Sequence, residues 1–351
     1  MPDQPPLAPA PRGFGRVVRM DVRVPLWSLP RTPQRFAGPA KYESWHEKKR
    51  VNVGYGYLSI LDLSDDERHA LVVSEDEAML HTYEFPSFQK VATLPVPGYK
   101  QFSRGDFLFA PWAASPGSPP DVLFAGERGV FALGGAVPSA LPLSAEPADE
   151  LRFTDDHAVL GASSAYIPAQ QSRLVFYGFR GSRLEPLVVL DFSERVEEWD
   201  LDSEKRRLAV TYYPSNDTEV MDLAARRVLW VSGAPQYSNS VDISPDDTRL
   251  AVGGSAVVMH DFSSGQPLGG DANFGNNIHR VRFSPSGDAL AVSSYEGKIR
   301  IFDAHPQGGH LKLRKLLRHT GTANVYAIRF TKDGSALVSG SGDQTVRVWG
   351  P

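Results

Sequence analysis

Arg280-Val-Arg-Phe-Ser-Pro-Ser-Gly-Asp-Ala-Leu-Ala-Val292 and Ala327-Ile-Arg-Phe-Thr-Lys-Asp-Gly-Ser-Ala-Leu-Val-Ser339 are two copies of one pattern in the C-terminal third of the chain. Each copy has a strand-like run, a polar turn that contains Gly, and a second apolar run in the same register. Three pairs of apolar positions are 47 residues apart without a gap, namely Phe283 and Phe330, Leu290 and Leu337, and Phe302 and Trp349. A fixed spacing between matching positions is typical of repeat architectures.

The same pattern continues toward the N-terminus, with a polar turn between two apolar runs in every copy. The copies are 241–252, 199–210, the weaker 151–161 and 61–73, and a degenerate copy within 101–133. From Leu63 to Phe330 there are six steps over 267 residues, or about 44 residues per step. This spacing is typical of β-propeller blades, and seven copies predict seven blades.

Each copy reads as a small antiparallel sheet. The third run alternates apolar and polar residues, as in Thr345-Val-Arg-Val-Trp349. One such sheet cannot bury both of its faces, whereas sheets arranged around an axis cover each other. We therefore predict an all-β fold, a seven-bladed β-propeller of four-stranded antiparallel blades.

The closure of the ring is predicted from the last copy, which stops at Gly350-Pro351 directly after its third strand. The Val-rich run at about 16–27 precedes the first complete copy and has no blade of its own. We expect this N-terminal strand to be the outer strand of the last blade, since an uncovered edge exposes backbone groups.

The sequence predicts two regions. Residues 1–14 are expected to form a disordered tail, because they are rich in Pro and poor in large apolar side chains. Residues 15–351 are expected to form a single propeller domain with blades at about 51–97, 98–145, 146–193, 194–234, 235–270, 271–318, and 319–350 plus 16–27.

Two motifs resemble those of the WD40-repeat β-propeller family. Gly340-Ser-Gly-Asp-Gln-Thr-Val-Arg-Val-Trp349 resembles the third-strand signature, and Phe283-Ser-Pro-Ser-Gly-Asp-Ala-Leu-Ala-Val292 resembles the turn between the first two strands. The resemblance is clear over the last three blades and weak in the N-terminal half. It implies a structural hydrogen-bond network of His319, Ser339, Asp343 and Trp349. Blade 6 has Val292, Glu296 and Phe302 at matching positions, so this network does not recur in every blade.

Composition argues against several classes of protein. The 37 Lys and Arg against 41 Asp and Glu give a net charge of -4, which does not favour nucleic-acid binding. There is no cysteine, so disulfides and thiolate chemistry are excluded and a reducing compartment is favoured. No signal peptide or long apolar run is evident, so we expect a cytoplasmic monomer that does not span a membrane.

The sequence contains no recognisable catalytic motif, and we expect no catalytic residue, no metal site and no cofactor. None of the nine histidines forms a pair spaced by four residues. The acidic pairs Asp65-Asp66, Asp155-Asp156 and Asp246-Asp247 recur at the same turn of their copies, which favours turn formation over a catalytic carboxylate pair.

Surface recognition is the function that the repeat pattern favours. In the family that the chain resembles, partners usually dock at the rim where the first strands begin. Aligning the copies places ten candidate contact residues there: Tyr57, Ser59, Arg195, Glu197, Tyr237, Asn239, Asn277, His279, Asn324 and Tyr326. Such side chains suit binding but also suit an ordinary polar rim. The loop aromatics Phe36, Tyr42, Trp45 and Trp112 are likewise either contact residues or packed against a blade.

We therefore expect a non-catalytic scaffold that presents a propeller rim to a protein or peptide partner. One alternative is a propeller enzyme of the lactonase type, which requires acidic or histidine ligands that converge on the axis. Another is a small-ligand binder that uses the central channel.

Overall fold

The computed structural model describes residues 14–32, 41–53, 58–74, 79–95, 107–110, 121–126, 129–134, 137–144, 147–154, 156–164, 171–180, 183–274 and 277–351. These residues form seven antiparallel sheets arranged as the blades of a propeller, which confirms the predicted fold class. The first strands of most neighbouring blades contact one another and, with the side chains between them, form the wall of a central channel. No helix among the described residues is long and apolar enough to span a membrane.

The first two strands, β1 (Val17–Val22) and β2 (His46–Asn52), precede the first blade, and two short 3-10 helices, Leu26–Ser28 and Tyr42–Ser44, lie between them. Blade 1 contains β3 (Leu58–Leu63), β4 (His69–Ser74), β5 (Met79–Glu84) and β6 (Lys90–Pro95). Blade 2 contains β7 (Phe107–Phe109), β8 (Val122–Gly126), β9 (Gly129–Gly134) and β10 (Val137–Ser144). Blade 3 contains β11 (Glu150–Phe153), β12 (Leu160–Ser164), β13 (Ser172–Arg180) and β14 (Arg183–Phe192).

The C-terminal blades follow the same order from the channel outward. Blade 4 contains β15 (Arg195–Leu201), β16 (Arg207–Tyr213), β17 (Thr218–Asp222) and β18 (Arg227–Ser232). Blade 5 contains β19 (Ser240–Ile243), β20 (Arg249–Gly253), β21 (Val257–Asp261) and β22 (Pro267–Asp271). Blade 6 contains β23 (Ile278–Phe283), β24 (Ala289–Ser294), β25 (Lys298–Asp303) and, after the short β26 (Gly309–His310), β27 (Leu313–Arg318). Blade 7 contains β28 (Val325–Phe330), β29 (Leu337–Ser341) and β30 (Thr345–Gly350).

The predicted closing strand was wrong. The strand within 16–27, β1, pairs antiparallel with β14 and is a fifth strand on blade 3. The outer strand of blade 7 is instead β2, which pairs antiparallel with β30. The N-terminal part of the chain does close the ring, but residues 46–52 do so.

The reason for the error lies in the tertiary contacts beside each strand. Val17 and Met20 of β1 are buried in an apolar cluster between blades 3 and 4, where their side chains are covered. The outer edge of blade 7 carries β2, whose residues are exposed or half-buried and include Glu47, Lys48, Lys49 and Arg50. Tyr42 and Trp45 are buried against blades 6 and 7, so these two loop aromatics pack onto the blades.

The predicted N-terminal tail extended to residue 14. Phe14, its last residue, is buried in the same cluster as β1. Residues 1–13 of that prediction, and the loop aromatics Phe36 and Trp112, lie outside the described residues.

The acidic pairs lie in turns between the first and second strands, as predicted, except that Asp155 lies outside the described residues. Asp66, Asp156 and Asp246 each accept a hydrogen bond from the Ser or Thr hydroxyl two residues earlier, at 2.7, 2.7 and 2.5 Å. In blades 1 and 3 to 7, whose turns are described, one turn residue has a left-handed backbone; these are Glu67, His157, Lys205, Asp247, Gly287 and Gly334. The turn geometry is therefore shared even where its Gly is replaced.

Candidate functional site

The two ends of the propeller have different surfaces. We define the upper face as the end where the first strand of each blade begins and the second strand ends. The lower face is the opposite end, which carries the turns between the first and second strands. Strand pairing fixes this geometry, since Arg195 at the start of β15 lies opposite Tyr213 at the end of β16.

Eight of the ten rim candidates can be described at the upper face or at the channel wall below it. Tyr57 lies outside the described residues, and Ser59 lies in β3, where its side chain is not described. The other candidates form two groups, one on blades 4 and 5 and one on blades 6 and 7.

Arg195 and Glu197 of blade 4 form an ion pair with a distance of 2.9 Å between guanidinium nitrogen and carboxylate oxygen. The Arg195 guanidinium also lies 5.8 Å from the centre of the Tyr213 ring, within the range of a cation–π contact. Arg195 is thus held near the Tyr213 ring, and about half of Tyr213 stays exposed to solvent.

Two tyrosines on this side are largely exposed. Tyr213 is 51% exposed, and Tyr237, at the start of blade 5, is 57% exposed. Tyr237 has a left-handed backbone, with φ of 57°, in the segment that enters blade 5. Exposed tyrosines have an apolar ring and a polar hydroxyl, a combination that is common in protein interfaces.

His279 of blade 6 lies in an aromatic stack. Its ring centre is 3.7 Å from that of Tyr295 and 4.7 Å from that of Tyr326. Burial, together with the neighbouring Arg280 charge, lowers the pKa of His279 to about 3. The imidazole is therefore neutral at pH 7 and packs as an aromatic ring.

The three asparagines of the candidate set have different surroundings. Asn324 donates a hydrogen bond from its amide to the Tyr326 hydroxyl, at 3.1 Å. The backbone carbonyl of Asn277 accepts from the Tyr295 amide at 3.2 Å. Asn239 lines the channel, where its side-chain oxygen is buried and has no hydrogen-bond partner among the described residues.

Tyr213 and Tyr295 were not among the candidates predicted from the sequence. Tyr213 ends β16 and Tyr295 directly follows β24, and antiparallel pairing places the ends of these second strands beside the starts of the first strands of their blades. That signal was available, because the register of the copies fixes which positions lie opposite each other.

The channel contains a cavity of about 610 Å³ with a charged wall. Arg152 of blade 3 contacts Asp200 at 3.1 Å and Asp242 at 2.8 Å, on the next two blades. Arg282 of blade 6 contacts the buried Glu198 at 2.7 Å. Burial raises the pKa of Glu198, but the surrounding guanidinium groups outweigh this effect and hold it well below its usual range.

The channel carboxylates also connect neighbouring blades. Glu198 accepts from the Val241 backbone amide at 2.8 Å, and Asp242 accepts from the Phe283 amide at 2.7 Å. These groups therefore join the first strands of blades 4, 5 and 6. Among the described residues, no group of three or more His, Cys, Asp or Glu is placed to hold a metal ion.

His319, Ser339, Asp343 and Trp349 are connected by hydrogen bonds in blade 7. The Trp349 indole donates to the Ser339 hydroxyl at 2.8 Å, and His319 Nε2 lies 2.7 Å from the same hydroxyl. His319 Nδ1 lies 3.2 Å from Asp343. Burial lowers the pKa of His319, which fits a neutral ring that accepts from Ser339 and donates to Asp343.

The lower face is partly covered by the N-terminal segment of the chain. The Lys205 ammonium donates to the Pro30 carbonyl at 2.7 Å and to the Thr32 hydroxyl at 3.0 Å. Farther along, the Tyr42 hydroxyl donates to Asp288 in the blade 6 turn at 3.2 Å. The chain thus occupies parts of its own lower face at blades 4 and 6.

Comparison with known proteins locates the repeat signal. A family model described as "WD domain, G-beta repeat" matches residues 271–303 and 311–350, which contain blades 6 and 7 except for β2. The chain is 27% identical to WD repeat-containing protein 1 of Mus musculus over 188 residues, which cover 45% of this chain and 30% of the relative. It is 29% identical to small ribosomal subunit protein RACK1 of Medicago sativa over 135 residues, which cover 34% of this chain and 41% of the relative. The chain spans less than half the length of each of these relatives.

Proposed function

The chain is a seven-bladed β-propeller whose blades 6 and 7 match the WD40-repeat family model, and from this premise we propose that it is a non-catalytic scaffold whose upper face binds a protein or peptide partner. The proposed contact surface centres on Tyr213 and Tyr237 and continues to the His279 stack. Its partner lies across the channel mouth and contacts blades 4 to 7.

One observation carries this proposal: the exposed tyrosines of blades 4 and 5 lie at the same end of the propeller. Val91 and Leu268, two other large apolar side chains that are exposed, lie on outer strands. An aromatic surface exposed at one site favours a contact that buries it on binding.

The difference between the two faces supports the same choice. The lower face holds Thr32 and Tyr42 of the N-terminal segment against the turns of blades 4 and 6. A partner that docked there would compete with these intramolecular contacts, whereas the upper tyrosines are open to solvent.

The channel charges favour a rim contact over a ligand held deep in the cavity. Arg152 and Arg282 are paired with carboxylates that also hold neighbouring strands together. A ligand that recruited these groups would have to replace interblade contacts. Cytoplasmic location, a monomeric state and the lack of nucleic-acid binding stay predictions from the sequence.

The test is affinity purification from the native cell with quantitative mass spectrometry, using wild type, Tyr213→Ala/Tyr237→Ala and the control Val91→Ala/Leu268→Ala. The control removes a similar number of exposed apolar side chains from outer strands. We expect a set of proteins that is lost with the tyrosine variant and kept with the control, while melting curves stay unchanged.

Retention of every captured protein by the tyrosine variant would refute the proposed surface. Two further assays address the alternatives with the same protein. Metal analysis with a lactone hydrolysis assay tests the enzyme, and a thermal-shift screen tests a ligand in the channel, because ligands that bind only the native state stabilise it.

A further inference from the structure

A basic region lies on the outer side of blades 6 and 7, although the whole chain has a net charge of -4. Residues 41–53 and 305–320 together contain eight Lys and Arg against two Glu. The two segments are adjacent, because the Lys315 ammonium donates to the Glu43 carbonyl at 2.9 Å. The Arg318 carbonyl likewise accepts from Arg347 of blade 7 at 3.1 Å.

Part of this positive charge is not neutralised by neighbours. Glu47 on β2 contacts Arg50 at 3.1 Å and Arg347 at 2.7 Å. Lys48 and Lys49, which lie between Glu47 and Arg50 in sequence, are exposed and form no ion pair within the described part of the chain. Two lysine charges on β2 are therefore available to a partner.

The strand that carries these lysines is also the outermost strand of its sheet. In blade 7 the order is β2, β30, β29 and β28, so among the described strands β2 pairs on one side only. A strand edge has backbone N–H and C=O groups that can pair with an added strand.

Other blades of this chain already bind a fifth strand at that position. On blade 3, β1 pairs antiparallel with β14 over residues 17–22. On blade 5, Gly309 and His310 pair parallel with Gly269 and Gly270 of β22. The outer edge of a blade in this propeller thus accepts an added strand in either direction.

We infer that β2 is a second docking site, which binds an acidic, extended polypeptide segment of a partner as the fifth strand of blade 7. Backbone hydrogen bonds to β2 provide the pairing, and Lys48 and Lys49 select carboxylate side chains. This site is independent of the upper-face proposal, since it uses a different edge of the molecule.

Lysines and bulges on edge strands also protect proteins against unwanted pairing, and β2 has a bulge between Glu47 and Lys49. Such protection acts through repulsion between like-charged strands and the cost of burying a charge against an apolar strand. Neither effect opposes an acidic strand, for which the same lysines are attractive. The edge is therefore selective and not simply blocked.

The experiment uses the full chain and a fluorescent peptide in which Glu alternates with Thr over about ten residues, the form expected of an acidic strand. Binding is measured by fluorescence anisotropy at low salt with wild type and with Lys48→Glu/Lys49→Glu. Arg226→Glu/Arg227→Glu, which changes two exposed basic residues at the start of the blade 4 outer strand, is the matched control.

We expect the Lys48→Glu/Lys49→Glu variant to weaken peptide binding roughly tenfold or more, and the control to change it less than about twofold. The milder Lys48→Gln/Lys49→Gln variant should give an intermediate loss. Melting curves establish that the variants are folded. Peptide binding should also slow amide hydrogen exchange within residues 46–52 and leave residues 227–232 unchanged.

Three probes distinguish strand addition from binding by charge alone and from binding of another class of partner. A peptide with alternate backbone nitrogens methylated cannot complete the pairing, and equal binding by it would overturn the inference. So would equal binding by the Gln-Thr counterpart, which lacks the charge. Tighter lysine-dependent binding to phosphatidylserine vesicles or to single-stranded RNA would show that the partner class is wrong.

Discussion

Lys205 provides the sharpest test of how the N-terminal segment is held on the propeller. Its side chain is fully buried, and its ammonium donates to the Asp156 carboxylate at 2.7 Å, to the Pro30 carbonyl and to the Thr32 hydroxyl. Burial raises the pKa of Asp156, but hydrogen bonds from Lys205 and Thr154 outweigh this and hold it below its usual value. One charged group therefore joins blade 3, blade 4 and the segment that crosses the lower face.

The perturbation is Lys205→Met. Methionine has an unbranched side chain of similar length, and it adopts the left-handed backbone at the same cost as lysine. Removing one partner of a buried ion pair costs roughly 3 to 5 kcal/mol. Asp156 keeps hydrogen bonds from the Thr154 hydroxyl at 2.7 Å and from the Ala158 amide at 3.1 Å. We therefore expect a loss at the lower end, about 3 kcal/mol in the free energy of unfolding.

Urea denaturation measures this loss, and Lys332→Met is the control. Lys332 also lies in a turn and pairs with a carboxylate, but Asp65 is 60% exposed, so a loss of at most about 1 kcal/mol is expected. A double-mutant cycle with Asp156→Asn should give a coupling energy of about 1 to 3 kcal/mol. A Lys205→Met loss no larger than the control, or additive effects in the cycle, would refute the reasoning.

Three further predictions concern the network, the aromatic stack and the closure. Ser339→Ala leaves two buried ring nitrogens without their partner, so we expect urea melts to show a loss of about 2 kcal/mol, and a loss below about 0.5 kcal/mol would contradict the network. Burial lowers the pKa of His279 to about 3 in the folded state, whereas its pKa in the unfolded state is near 6.5. As the pH falls from 7 to 5, His279 is protonated mainly in the unfolded chain, which lowers the stability of the folded state. Wild type should therefore lose up to about 2 kcal/mol more than His279→Phe between pH 7 and 5, and parallel stability profiles would disprove this. Deleting residues 1–28 should lower the melting temperature without opening the ring. Deleting residues 1–53 should cause aggregation, because β2 is then lost from blade 7. Aggregation after the shorter deletion would count against the assignment of β2 as the closing strand.

The repeat determines most of the architecture in advance, because burial imposes the same pattern on every blade. Positions such as Ile243, Phe283 and Phe330 recur at the end of the first strand, where turn and core meet. Gly287 and Gly334 also indicate a left-handed turn residue. Lys205 occupies the equivalent left-handed turn position in blade 4, but a lysine in the sequence does not indicate such a turn. The backbone strain at Lys205 is offset by side-chain contacts that form only in the folded chain.

The closure was less predictable, because local pattern does not identify the partner of a strand. Both β1 and β2 are able to form a strand, and both lie before the first blade. The choice depends on tertiary contacts: Met20 fits the cluster beside blade 3, while Trp45 fixes the entry to β2 beside blade 7. Prediction of the rim residues was limited in the same way. Aligning the copies identified Arg195 and His279 as rim positions, but it did not identify Tyr213 and Tyr295 as the rings that lie against them.

The position of β2 links ring closure to the proposed recognition of an acidic strand. This strand is the contact through which the N-terminal segment joins the last blade, so a ring that opens there loses the edge to which a partner would add. A partner that pairs only with the closed form stabilises it by about 2.7 kcal/mol when its free concentration is a hundred times its dissociation constant. The closing strand would then be held on both sides, by β30 within the blade and by the partner outside it. Lysines on β2 leave this edge unattractive to neutral strands, so the gain in stability is limited to partners with complementary charge.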